Sequence, residues 1–307
     1  MTPLMFKFKK VTLLCLIVFA VCCIVVSPKV QAIDPAPDGV SVDGVFDSDE
    51  ESPSIIPTPT PYDFNLDRHP DFVLGTMLGA TAIWYLNNNV YLRNAQGPTL
   101  GGVYWQLAGV ADFNGDGRPD YVLFIENTRQ IAIWYLNDNI RVSGLYVPTL
   151  VSPGWALVAV GDFSGDGKPD CVLYNATTHQ TEIWYMSNNI RRTTGPGPTL
   201  PFSWQLVGVA DFDKDGHADY LLFNSSTRQT AIWYMSGRSV LRTALGPTIE
   251  IGYQLKGAAD YDGDGYPDYV LFGRQTRRTA IWYLTDNVLR AMANGPTIES
   301  PWRLLQP

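Results

Sequence analysis

A nine-residue segment rich in aspartate occurs five times: DFNLDRHPD (63–71), DFNGDGRPD (112–120), DFSGDGKPD (162–170), DFDKDGHAD (211–219) and DYDGDGYPD (260–268). Its first aspartate advances by 49, 50, 49 and 49 residues, and so regular a period limits the chain to an array of like units. Each segment leads into an alternating stretch ending in Ile-Trp-Tyr, with the tryptophan at 84, 134, 184, 233 and 282. Pro-Thr follows at 98, 148, 198, 247 and 296, then a second aromatic at Trp105, Trp155, Trp204, Tyr253 and Trp302. All nine tryptophans thus fall in two repeat positions, which marks them as framework.

Within one unit, WQLAGVADF (105–113), YVLF (121–124), QIAIWYL (130–136) and IRVSG (140–144) are short β-rich runs broken by Gly, Asn, Asp and Pro. Four strands of roughly six residues leave connections of ordinary length, and four-stranded antiparallel units repeated radially are propeller blades. No stretch sustains a helical period, which excludes βαβ and helical solenoid folds. The fold predicted is therefore all-β, a five-bladed propeller of four-stranded antiparallel blades over 62–307. Trp302 aligns with Trp105, which puts Pro307 level with Val110 and Tyr62 level with Ala111. The C-terminal WRLLQP is then expected to supply the strand that the first blade lacks, closing the ring without an open edge. An open solenoid, the competing arrangement, normally carries atypical capping repeats.

Length alone, at 307 residues, would have suited two ordinary domains. Instead, residues 1–32 have the pattern of a secretory signal: a lysine-bearing start, the unbroken apolar run VTLLCLIVFAVCCIVV (11–26) and small residues before Ile33. The apolar run is short of the roughly 20 residues that span a bilayer, so no stable membrane span is expected after cleavage. Residues 33–61 hold seven acids, no base and several prolines, a composition that cannot offset its ordering entropy and reads as a disordered acidic stalk. The formal charge is -8 and no basic cluster lies beyond the first ten residues, which argues against a nucleic-acid partner.

Seventeen of the 23 acids between 63 and 307 lie in the five nonapeptides. Carboxylates so crowded repel one another unless a cation neutralises them. Oxygen donors at positions 1, 3, 5 and 9, a main-chain carbonyl at position 7 and glycine at position 6 suit Ca²⁺. Softer metals would want Cys or His. The ligands expected in the second loop are Asp112, Asn114, Asp116, the Arg118 carbonyl and Asp120; in the third, Asp162, Ser164, Asp166, Lys168 and Asp170. The fourth offers Asp211, Asp213, Asp215, His217 and Asp219, and the fifth Asp260, Asp262, Asp264, Tyr266 and Asp268. The first loop has Arg68 in place of glycine and is expected to bind weakly or not at all. By carboxylate count, loops four and five should bind more tightly than loop three. An EF-hand is excluded because its twelfth position here is leucine and its flanks are strand-like.

The segments DFNGDGRPDYVLF and DYDGDGYPDYVLFG resemble FG-GAP/VCBS repeats, found in integrin α-subunit propellers, many secreted bacterial proteins and some fungal propeller lectins. The resemblance covers 62–307 and implies a Ca²⁺-binding propeller used for adhesion or ligand binding. Members commonly have seven blades, whereas this chain has five repeats.

Little else in the sequence points to chemistry. His69 and His217 fall at loop position seven, where only the carbonyl would bind metal, and His179 lies elsewhere; they suggest no triad or zinc cluster and are expected to be ordinary surface residues. Cys171 stands where other repeats have an aromatic and is expected to be a buried strand residue, not a nucleophile. In Ile-Trp-Tyr the two rings point to opposite faces of a strand, which fits packing between blades or, alternatively, a sugar-stacking platform. Asn175 and Asn224 match glycosylation acceptors. The function expected is that of a secreted, non-enzymatic Ca²⁺-binding module recognising an extracellular protein or carbohydrate. The alternatives are a polysaccharide-active enzyme and a purely structural metal-stabilised domain.

Overall fold

The computed structural model describes residues 61–306, which form five four-stranded antiparallel sheets arranged as a closed ring. The leader (1–32) and the stalk (33–61, apart from Pro61) lie outside the described residues. Blade one contains β1 (Phe72–Gly75), β2 (Thr81–Asn87) and β3 (Val90–Gln96). Blade two is β4 (Trp105–Ala111), β5 (Asp120–Ile125), β6 (Gln130–Asn137) and β7 (Ile140–Tyr146). Blade three is β8 (Trp155–Gly161), β9 (Asp170–Asn175), β10 (Gln180–Ser187) and β11 (Ile190–Thr199). Blade four is β12 (Trp204–Ala210), β13 (Asp219–Asn224), β14 (Gln229–Ser236) and β15 (Ser239–Thr248). Blade five is β16 (Tyr253–Ala259), β17 (Asp268–Gly273), β18 (Arg278–Thr285) and β19 (Val288–Thr297). The last strand, β20 (Arg303–Gln306), pairs antiparallel with β1 and completes blade one. The innermost strands β4, β8, β12, β16 and β20 each touch the next, and β20 touches both β16 and β4. The ring therefore closes as the repeat frame predicts.

The middle strands of each blade are buried on both faces, so their sequences are nearly continuous apolar runs such as DYVLFI and QIAIWYLN. Burial of the Ile-Trp-Tyr rings is what separates packing from a stacking platform. Trp134, Trp184 and Trp282 are 5%, 2% and 5% exposed and Tyr85 and Tyr234 are 0% and 1% exposed, so these rings fill the space between blades. The outer strands are exposed and carry a β-bulge opposite the Tyr of that motif in every blade, a device that breaks up an edge otherwise open to pairing.

Two repeated contacts join the blades. In the first, a buried threonine at the start of the third strand donates to the carbonyl of the Pro-Thr proline: Thr81 to Pro98 (2.7 Å), Thr181 to Pro198 (2.6 Å), Thr230 to Pro247 (2.7 Å) and Thr279 to Pro296 (2.9 Å). The same hydroxyl accepts from a tyrosine of the next blade, Tyr220 to Thr181 at 3.2 Å and Tyr269 to Thr230 at 3.3 Å. Glycine precedes the proline because a Cβ at Gly97 or Gly197 would fall 2.5 Å from the threonine oxygen. Blade two has Ile131 for the threonine and Val147 for the glycine, and blade three has Cys171 for the tyrosine. All three pack in one apolar cluster. Cys171 is thus the partner of an apolar pair, 0% exposed, its thiol pKa raised by burial. Cys171→Tyr alone is expected to overpack this junction and destabilise the ring by about 1–3 kcal/mol. Adding Ile131→Thr and Val147→Gly is expected to recover most of the loss in a denaturant titration.

The second contact is a hairpin latch. The turns between third and fourth strands place Asn88, Asp138, Asn188, Gly237 and Asp286 at φ between 54° and 58°, a conformation that Asn, Asp and Gly tolerate best. Tyr85, Tyr135 and Tyr234 donate to Asp138, Asn188 and Asp286 of the next blade. The following asparagine reaches back to an outer strand: Asn139 to the Gln96 carbonyl (2.8 Å), Asn189 to Tyr146 (3.0 Å), Asn287 to Leu245 (2.9 Å) and, across the closure, Asn89 to Asn294 (2.9 Å). Blade four alone lacks the pair, having Gly237 and Arg238.

Candidate metal centres

Four nonapeptides connect an innermost strand to its neighbour and the first leads directly into β1, so all five loops emerge at the same end of the ring. Their backbone is arranged around two carboxylates. The first aspartate collects amides of its own loop: Asp112 Oδ1 accepts from Gly115 (2.7 Å) and Oδ2 from Gly117 (2.7 Å). Asp162, Asp211 and Asp260 accept from Gly167, Gly216 and Gly265 in the same way. Those glycines have φ between 77° and 88°, where a Cβ is costly. Arg68 adopts the same conformation at φ 72°, and its amide donates to Asp63 at 2.7 Å, so the first loop keeps the frame despite the substitution.

The ninth-position aspartate is buried and doubly tied. Asp120 Oδ2 accepts from Phe113 N and Oδ1 from Leu136 N, both at 3.0 Å. Asp170, Asp219 and Asp268 repeat this with Phe163 and Met186, Phe212 and Met235, and Tyr261 and Leu284. Each carboxylate thus fastens the loop to the third strand of its own blade. Burial, ahead of the opposing amide hydrogen bonds, raises their pKa values, to about 7 for Asp120, Asp170 and Asp219 and about 8 for Asp71 and Asp268.

The side chains at positions three and five of loops two to five face solvent, apart from half-buried Asp213. The fifth-position carboxylates accept from the seventh-position amides: Asp116 from Arg118 (2.9 Å), Asp166 from Lys168 (3.0 Å), Asp215 from His217 (2.9 Å) and Asp264 from Tyr266 (2.8 Å). Asn114 and Asp262 accept from the amide two residues on, at 2.9 and 3.3 Å, while the Ser164 hydroxyl donates to Asp162 at 3.3 Å. Among the described residues, carboxylate oxygens of three side chains come within 4.8 Å of one another in two places, Asp211, Asp213 and Asp215, and Asp260, Asp262 and Asp268. These are the fourth and fifth loops, the two with most carboxylates.

The donor set fits a hard cation. It consists of oxygens alone, and Asp213 Oδ1 is buried with no hydrogen-bond partner while its other oxygen meets Arg242 at 3.2 Å. An orphaned buried carboxylate oxygen among like charges is expensive unless a cation sits beside it.

Several side chains near the loops are not deducible from the repeat. Arg242 pairs with Asp213 and with Asp286 (3.7 Å) while lying over the Tyr234 ring, linking the fourth loop to the latch. Lys214 donates to the Asp264 carbonyl at 2.6 Å and sits over Tyr266. His217 differs from the surface position expected of it: half-buried, its Nδ1 lies 3.0 Å from the Phe163 carbonyl, bridging loops three and four. His69 and His179 are likewise half-buried, His179 against Tyr174 at 3.1 Å. The hairpin asparagines could have been found in sequence, because their spacing repeats. Lys214 could not, since it occurs in one blade only; Arg242 shares its repeat position with Arg93 and His217 with His69, but their partners Asp213, Asp286 and the Phe163 carbonyl are brought to them only by the fold. Asn175 and Asn224 cap the turn after the second strand through their own side-chain oxygens.

The four innermost strands β4, β8, β12 and β16 and their loops line a common cavity of about 500 Å³, to which Asp112, Asp162, Asp211 and Asp260 contribute together with Val110, Val160, Val209 and Ala258. Fold and loops together define a closed β-propeller carrying an aspartate loop in every blade. The FG-GAP-like repeat family matches residues 63–123, 112–173 and 162–222, and the chain belongs to that family. No curated protein matches the sequence. Similar solved structures include a protein of unknown function from Bacteroides caccae, at 12% identity and TM-score 0.40 over 73% of each chain. A Photorhabdus luminescens Tc holotoxin pore is similar at 18% identity and TM-score 0.42 over 76% of this chain and 12% of that one. A nidogen/laminin complex gives 10% identity and TM-score 0.39 over 74% and 94%.

Proposed function

We propose that this protein is a secreted calcium-binding recognition module whose ligand is an extracellular protein or glycan. The observation that carries the calcium reading is the loop end of the ring, where oxygen-only loops repeat in four intact copies and Asp213 keeps an unpartnered buried oxygen. Asp112, Asn114, Asp116 and Asp120 would hold the ion in loop two, with corresponding residues in loops three to five. The ion supplies charge neutralisation, and the chain's own amides hold the first and ninth carboxylates in place. Export rests on the sequence of residues 1–32; among the described residues no helix is long and apolar enough to cross a membrane. The non-enzymatic reading rests on regularity, because catalytic groups normally break a repeat. Calorimetric titration of the chelated protein with Ca²⁺ tests this, and the expected stoichiometry is four. A glycan panel and a pull-down with the calcium-loaded protein then separate the two ligand classes. Failure to bind Ca²⁺ would overturn the reading.

A further inference from the structure

The five blades are not equivalent at the cleft between the metal loop and the outer hairpin. In blade four this cleft is filled from within, because Arg242 lies over Tyr234 and reaches Asp213 and Asp286. In blade three the residue paired with the Tyr of the motif is Thr193 rather than arginine, and the next blade offers Gly237 where the others have Asn or Asp. Tyr185 therefore has no hairpin acceptor to donate to, and its hydroxyl instead faces the Arg238 guanidinium of that turn. What remains is an open cleft of about 440 Å³ lined by Ser164, Asp166, Lys168, Tyr185, Arg192 and Thr193, within the size range of small-molecule sites.

Its charge is unusual. Arg192 is the bulged residue of β11, a position held by Leu92, Val142 and Leu241 in blades one, two and four. Lys168 lies 3.7 Å from Asp166. Without a cation the loop's acids cancel these two bases; with Ca²⁺ in loop three, Lys168 and Arg192 are left uncompensated beside three hydroxyls. We propose that this cleft binds an acidic saccharide, its carboxylate met by Arg192 and Lys168 and its hydroxyls by Tyr185, Thr193 and Ser164. Arginine and lysine supply charge-assisted donors for a carboxylate, and hydroxyl side chains both donate and accept, as sugar hydroxyls do. The inference rests on calcium occupying the third loop.

The test uses galacturonate titrated into the protein by calorimetry, with galactose as the neutral comparison. Binding of galacturonate but not galactose in Ca²⁺, lost on chelation, is the expected result. Arg192→Leu, which copies the residue of blades one and four, is expected to weaken binding by about tenfold or more, with calcium stoichiometry and thermal midpoint unchanged. Arg290→Leu, the same position in blade five, is expected to leave binding as in wild type. Calcium binding without galacturonate binding, equal binding of galactose, or indifference to Arg192→Leu would overturn this inference alone. No calcium binding at all would overturn the calcium reading and this inference with it.

Discussion

Removing calcium is expected to lower the thermal midpoint of the ring by tens of degrees. A site whose free ion stands at 100 times its Kd adds ~2.7 kcal/mol, and four such sites add roughly 11 kcal/mol. At about 2–4 °C per kcal/mol for a domain of this size, the shift is on the order of 20–40 °C, readable by calorimetry with and without chelator. The chelated protein should also respond to pH in the sense opposite to most proteins. The folded-state pKa values of Asp71, Asp120, Asp170, Asp219 and Asp268 are raised to about 7 or 8, against ~3.9 in an unfolded chain. The folded chain then binds more protons than the unfolded one, so stability is fully present below about pH 4 and declines as pH rises through about 7–8. Calcium, which favours the ionised form, should flatten that decline. A chelated midpoint that rises from pH 5 to pH 8, or one unmoved by calcium, would contradict this account.

Asp219→Ala is expected to destabilise the ring by about 4 kcal/mol even in the absence of metal. The side chain is 0% exposed and accepts from Phe212 N at 2.9 Å and Met235 N at 2.7 Å. Alanine strands two buried amides, each costing ~1–3 kcal/mol. Measurement near pH 6 keeps the native carboxyl largely uncharged, so relief of a buried charge does not offset the loss. Asp215→Ala removes a proposed ligand of the same loop that is exposed and accepts only the His217 amide; in chelator its cost is expected to stay below about 1 kcal/mol. Denaturant midpoints of the two variants separate a residue that fastens the loop from one that serves the ion. Equal costs in chelator would show that the ninth position has no fastening role.

Much of this was legible from residues alone because a repeat is read five times over. Period, strand number, ring closure and the aspartate loops each appear in every copy, so local pattern and global fold agree. The loops were less fully legible in energetic terms. DFNGDGRPD does not reveal that Asp120 is tied to Leu136, sixteen residues on, since only folding of the blade brings the third strand against the loop. Nor does the sequence weigh Trp against Tyr in Ile-Trp-Tyr as packing or platform; the fold buries Trp134, Trp184, Trp282, Tyr85, Tyr135 and Tyr234 and leaves Trp84, Trp233, Tyr185 and Tyr283 half-buried.

The sequence by itself determined the number of blades, the frame in which the last strand completes the first blade, and the oxygen chemistry of the loops, because these depend on periodicity and residue type. Only the tertiary structure decided what happens where the repeats differ. Cys171 answers Ile131 and Val147 across a blade junction, Arg242 closes one cleft, and Thr193 with Gly237 opens another. Those residues lie tens of positions apart and become neighbours only when blades stack radially, so their pairings follow from contact in space and not from distance along the chain.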